Sequence, residues 1–147
     1  MSPHPRNLPQ LLSEAKRWFD EALQASMQAA GERPVSTAQT AVFATLDPEG
    51  TTVSELARRI GVTRQTAHQA VHGLIAMGLL EQVPDPSSAR SRLIRTTAEG
   101  ERVHQRAQAS IALIEGVLAA RVGRLGETAL RETLTLDWGA PPLVSAP

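Results

Sequence analysis

Two short helical patterns joined by a three-residue turn, between Thr52 and Leu80, constrain this chain more than any other stretch, because so tight a connection forces two amphipathic helices to cross and share one core. Val53, Leu56, Ala57 and Ile60 fall at i, i+3, i+4 and i+7, a single apolar stripe. Thr52 with Glu55 three residues on predicts a capping box, the hydroxyl taking an orphan N–H while the carboxylate reaches back to the N–H of the cap. Gly61 supplies the left-handed stop, Val62 fills the turn, and Thr63 caps the second helix. In that helix Ala67, Val71, Leu74, Ile75 and Gly78 form the expected buried stripe.

The stripe leaves Arg64, Gln65, His68, Gln69 and His72 together on the opposite face. A solvated helix face is usually laced with Glu and Lys four apart, yet this one holds no acid. Guanidinium and amide groups read base edges, Arg gripping O6 and N7 of guanine with two bonds and Gln the N6 and N7 of adenine. In a helix-turn-helix the N-terminal part of the second helix enters the major groove, which places Thr63 to Gln69 nearest the bases. Leu80 to Pro84 then reads as a strand, Pro84 to Ala89 as a turn-rich tip and Arg90 to Thr96 as the returning strand. Arg90, Arg92 and Arg95 fall within six residues of that strand and make candidate phosphate contacts, which position a duplex without reading it.

The order of a capped helix, a second helix ending in Leu-x-x-x-Gly-Leu-Leu-Glu81, an Arg-bearing wing and Thr97-Ala-Glu-Gly100 opening a long helix resembles the multiple antibiotic resistance regulator (MarR) family of bacterial transcription factors. Where the family wing usually carries an Asp-Arg pair just before Arg90, Ser88 and Ala89 stand here. The resemblance covers most of the chain and implies a homodimer whose N- and C-terminal helices interlock beneath two winged domains. It also implies release of DNA by a small aromatic or anionic effector bound between those layers.

The flanks point to a partner without help from the resemblance. Leu8, Leu11, Leu12, Ala15, Trp18, Phe19, Ala22 and Leu23 predict an amphipathic helix over about 8–30, ended by Gly31 and Pro34. A second helix begins at Ser36, capped with Gln39, and runs to about Leu46. Val103, Ala107, Ile111, Ile114, Leu118, Val122 and Leu125 make a long apolar seam, which Leu130, Leu134 and Trp138 extend after a break at Gly126. A winged domain of residues 36–97 is too small to cover both stripes, and the simplest cover is a second copy of the chain. The expected architecture is mainly α with a small β-hairpin wing, an α+β winged helix-turn-helix (36–97) with helical dimerisation segments at 1–35 and 98–138 and a mobile tail over 139–147.

Composition constrains other classes. Net charge is zero, against the usual basic balance of a nucleic-acid binder, but from Thr63 to Arg95 four arginines face only Glu81 and Asp85. Fourteen of the fifteen basic residues are Arg, which suits phosphate geometry and equally suits a GC-rich genome. The absence of cysteine removes thiol sensing and thiolate metal sites. No apolar run approaches the roughly 18 residues of a membrane span, so no membrane partner is expected and the protein is placed in the cytoplasm.

His68 and His72 share the spacing of a helical zinc protease, but Gln69 stands where such an enzyme needs its Glu base, and an amide takes no proton from bound water. No enzyme, cofactor or metal is expected. The pair remains open as plain polar residues or as a pH sensor. Trp18, Phe19 and Phe43 read as core aromatics or as the walls of an effector pocket, and the wing arginines as phosphate contacts or as charges blunting a sheet edge. The expected function is a ligand-responsive repressor, dimeric on a pseudo-palindromic site in double-stranded DNA. The alternative is a dimeric winged-helix module that binds protein, in which exposed aromatics or aliphatics would stand in place of the acid-free face.

Overall fold

Local signals explain where each helix begins and ends in the computed structural model, which describes residues 5–145. Elements run α1 (Leu8–Ala29), α2 (Thr37–Thr45), α3 (Val53–Ile60), α4 (Arg64–Ala76), β1 (Leu80–Asp85), β2 (Ser88–Thr96), α5 (Ala98–Val122) and α6 (Arg124–Thr135). The chain divides into two units, Met1–Ile111 and Ala112–Pro147, with the boundary inside the continuous helix α5. Asn7 with Gln10 caps α1 and Ser36 with Gln39 caps α2, each with both bonds of a capping box made. Gly61 takes the left-handed conformation at φ 79° and stops α3, and the Thr63 hydroxyl accepts the Thr66 N–H to start α4.

In the first unit the helices α2, α3 and α4 pack around Val42, Leu56, Val71 and Leu74, all fully buried, and Leu80 and Ile94 carry the core into the hairpin. β1 and β2 pair antiparallel from Leu80 opposite Thr96 to Pro84 opposite Arg92. Thr51, buried, adds an isolated bridge to Ile94, with N–H···O distances of 2.9 and 2.8 Å in the two directions. Gly50 makes that approach feasible: its φ is +114°, and a Cβ there would meet the Leu93 Cβ at 2.8 Å. Thr97 starts α5 by accepting the Gly100 N–H at 3.0 Å, while its own N–H donates to the Leu79 carbonyl.

The structure corrects several expectations. Only half of the Thr52 capping box forms, because the Glu55 carboxylate is drawn to Arg58 and Arg59 on the next turn of its own helix. Gly78 is exposed and Ile75 half-buried, and Ala70 takes the place in the buried stripe that the periodicity assigned to Gly78. Gly78 instead ends the helix at φ 75°. The return strand starts at Ser88 rather than Arg90, so the tip is short. The break in the C-terminal helical region falls at Gly123, at φ 87°, and Gly126 lies inside α6.

In the second unit α6 buries no residue, and Leu125 and Trp138 are 88% and 64% exposed. The expected mobile tail has no regular structure over residues 139–145, and residues 146–147, like residues 1–4 of the expected N-terminal segment, lie outside the described residues.

Candidate nucleic-acid interface

Thr63, Arg64, Gln65, His68, Gln69 and His72 are all exposed on one side of α4, with Ala67, Ala70, Val71 and Leu74 buried on the other. The two imidazoles lie against each other with centroids 4.1 Å apart. No acid stands on α4, and among the described residues Arg64 enters no ion pair. The face is held at its N-terminal end by the Thr63 cap, and on the other side Gly73 approaches α2 closely: a Cβ there would stand 2.5 Å from the Gln39 side-chain amide, which would have to shift.

The wing arginines do not form the single set that their spacing suggests. Arg95 stands directly opposite Glu81, and its guanidinium donates to that carboxylate at 2.7 and 3.0 Å. The partner is fourteen residues away in sequence, so the pair exists only because of the hairpin register. Arg90 and Arg92 are exposed and enter no ion pair among the described residues. Between the Pro84–Arg92 and Asp85–Ser88 pairs, Ala89, Arg90 and Ser91 have no partner on β1. This bulge breaks the strict alternation of the strand and sets the direction of Arg90 independently of Arg92.

Behind α4 a cluster of charges fastens α3 to the loop before it. Arg59 donates to both oxygens of Asp47 at 3.0 Å, to Glu55 at 3.0 Å and to the Thr45 carbonyl at 2.8 Å. Hydrogen bonds from Arg58 and then Arg59 hold the Glu55 carboxyl down at about 2, well below its ordinary 4.5, and Arg59 lowers Asp47 in the same direction. A carboxyl lowered on folding stabilises the fold fully above its unfolded value and loses that contribution as pH falls through the folded one. Thermal unfolding of Glu55→Gln should therefore show a lower Tm than the parent at pH 6, with the two converging as pH falls from about 4.5 to about 2. A gap that stays constant across that window would show that the pairing carries no stability.

A second feature lies toward α1 and α5. An apolar cavity of about 120 Å³ is lined by Leu23 and Met27 of α1, Arg33, Phe43 of α2, and Val103, His104 and Ile111 of α5. Phe43 stacks on His104, with centroids 5.8 Å apart and rings 17° from parallel. Phe43 is thus a wall of the cavity, whereas Trp18 and Phe19 pack edge to face on each other, half-buried, and line none of it. Sequence reading missed Arg33 and His104 as lining residues. Their only signals were an Arg before a helix-breaking Pro and a His inside an apolar seam, neither of which is specific.

A two-stranded wing behind a helix-turn-helix, with an exposed acid-free second helix, defines a winged helix-turn-helix protein. Within that class the MarR family model matches residues 34–91, the stretch from the start of α2 into the wing. An uncharacterized protein of Mycobacterium tuberculosis is 34% identical over 83 residues, 56% of this chain and 58% of that protein, so the match spans less than two thirds of the relative. Two solved structures extend the likeness to most of the chain. The transcriptional repressor CouR bound to a 23-mer DNA duplex matches with TM-score 0.73 and 25% identity over 87% of this chain and 89% of that one. The PcaV transcriptional regulator of Streptomyces coelicolor matches with TM-score 0.62 and 27% identity over 83% and 90%.

Proposed function

We propose that the protein is a homodimeric, sequence-specific transcriptional regulator, a repressor released from a pseudo-palindromic operator by a small apolar or aromatic anion. One observation carries this reading: the exposed face of Thr63, Arg64, Gln65, His68, Gln69 and His72, free of acid, on the second helix of a winged helix-turn-helix. Arg64 to Gln69 read bases, while Arg92 and the bulged Arg90 hold phosphates. Arg95, engaged by Glu81, contributes less than either. CouR, whose DNA-bound structure shares the fold, supports the DNA reading.

Dimerisation rests on apolar surface that is expensive to leave in water. Leu8 of α1, and Leu113, Val117, Val122, Leu125, Leu134 and Trp138 farther along, are exposed, and apolar surface that gathers into a patch marks a protein–protein contact. Residues 1–35 and 98–138 are assigned to the interface on that ground. A twofold axis then sets two α4 helices about 34 to 36 Å apart, one turn of DNA. The effector class follows from the mainly apolar cavity, in which Arg33 and His104 are the lining groups that can carry positive charge, beside the neutral Gln24, Thr40 and Gln108. Solved structures of CouR with p-coumaroyl-CoA and of PcaV with its natural ligand agree with a ligand-responsive role.

The test is binding of the purified protein to a labelled duplex from its own upstream intergenic region, titrated in salt with unrelated DNA present. If a dimer covers roughly 6 to 10 phosphates, affinity should fall about 10³- to 10⁵-fold between 50 and 200 mM salt and resist the competitor. Binding that unrelated DNA abolishes, or a flat salt response, would overturn the reading in favour of a protein-interaction module.

A further inference from the structure

Arg33 belongs to two hollows of the fold at once. It is among the residues lining the apolar cavity, and it also lines a polar recess with Met77, Leu79, Glu99 and Arg102. In the recess its Nη2 donates to the carbonyl oxygen of Met77, forty-four residues away. Met77 is the C-cap of α4, so this carbonyl is one of the unpaired acceptors at the negative end of that helix, where a cation is favoured. The two acids nearby are already engaged: Arg102 donates to Glu32 at 2.7 and 3.0 Å and to Glu99 at 2.7 and 3.0 Å. Arg33, near enough to Glu99 to help Arg102 hold that carboxyl down, is left with a neutral hydrogen-bond partner, and a neutral carbonyl competes poorly with a carboxylate for a guanidinium.

We propose that Arg33 is a positioning residue that reports occupancy of the apolar cavity to α4: an anion in the cavity draws the guanidinium off the Met77 carbonyl and loosens the last turn of the helix that carries Arg64 to His72. The proposal rests on the effector reading above and adds the physical link between ligand and DNA-facing helix. The N–H groups of Met77, Gly78 and Leu79, bonded to the Gly73, Ile75 and Leu74 carbonyls, close that turn and register its opening.

Amide hydrogen exchange of the segment 71–80 in the full chain tests this without DNA. The probes are benzoate and its neutral counterpart benzamide, each a single ring, suited to a cavity of about 120 Å³ when one of about 150 Å³ admits benzene. Benzoate should speed exchange of the segment in the parent about tenfold, the size of losing one charge-assisted hydrogen bond, and benzamide should leave it unchanged. Arg33→Ala should exchange about tenfold faster at rest and gain nothing from benzoate. Arg33→Lys, which keeps the charge, should still respond.

Benzoate that leaves the parent segment unchanged, or speeds Arg33→Ala as much as the parent, overturns the proposal. So does a benzamide effect equal to that of benzoate. Should the exchange pattern appear as expected in a protein that binds no specific DNA, the link through Arg33 stands and the regulator reading falls.

Discussion

Gly100→Ala should cost the first unit more stability than any single core truncation of one methyl group. A Cβ at this position would lie 1.9 Å from the Leu79 carbonyl oxygen and 2.9 Å from the Leu79 carbonyl carbon and the Thr96 methyl. The obstacle is backbone, which has no rotamer by which to yield, and Leu79 is held there by its own N–H to the Leu74 carbonyl and by the Thr97 N–H on its carbonyl. Ala gains about 1 kcal/mol over Gly in a helix interior, whereas forced overpacking costs about 1 to 3 kcal/mol and more when the backbone must move. A net loss of roughly 2 kcal/mol or more is expected from urea unfolding, with a Tm lower by about 4 to 8 °C for a chain of this size. A variant as stable as the parent would show that the start of α5 can slide away from the end of α4 at no cost. Because Leu79, three residues past α4, is tied to it by its N–H on the Leu74 carbonyl, the substitution should weaken DNA binding even in protein that remains folded.

The second large effect concerns the DNA-facing side. Arg64→Ala and Gln69→Ala should each weaken binding to the operator by about 1 to 3 kcal/mol and relax base preference, because a bidentate contact to a base edge disappears. Arg92→Ala should weaken operator and unrelated DNA alike and reduce the salt slope by about one. Arg95→Ala should do less than Arg92→Ala, since its guanidinium already serves Glu81 across the hairpin and an exposed pair of this kind is worth little to the fold, roughly 0 to 1 kcal/mol. Competition titrations of the variants against mutated and unrelated duplexes check the division of roles. Equal losses with unchanged preference for all four would dissolve it.

Much of the architecture was legible because its signals act within one helical turn. The Ser36–Gln39 pair predicted the start of α2 and both of its bonds form. Gly61 and Thr63 bracket the turn as their residue types require, and the exposed side of α4 is the one that its apolar stripe implied. The same kind of signal failed where two local solutions compete. Glu55 had a cap to close and two arginines in reach, and the charge-assisted bonds won. Gly123 and Gly126 are equally able to break a helix, and only the φ of 87° at Gly123 shows which one does. Val103 and Ile111 read as part of one continuous seam, yet both also line the cavity, since periodicity identifies an apolar face without saying what covers it.

By itself the sequence determined the helix-turn-helix, its capped boundaries, the wing and the acid-free face of α4, because hydrogen-bond capping and apolar periodicity operate between residues three or four apart and are written in their identities. The tertiary structure decided which arginines are free. Glu81 claims Arg95 only through a strand register, and Arg33 reaches Met77 only because the α1–α2 connection is carried past the end of α4. It also decided that Phe43 and His104 stack as one wall of a cavity. Such pairings join residues fourteen or more positions apart, and the choice among several equally competent donors and acceptors is made by the packing that brings one of them within bonding distance.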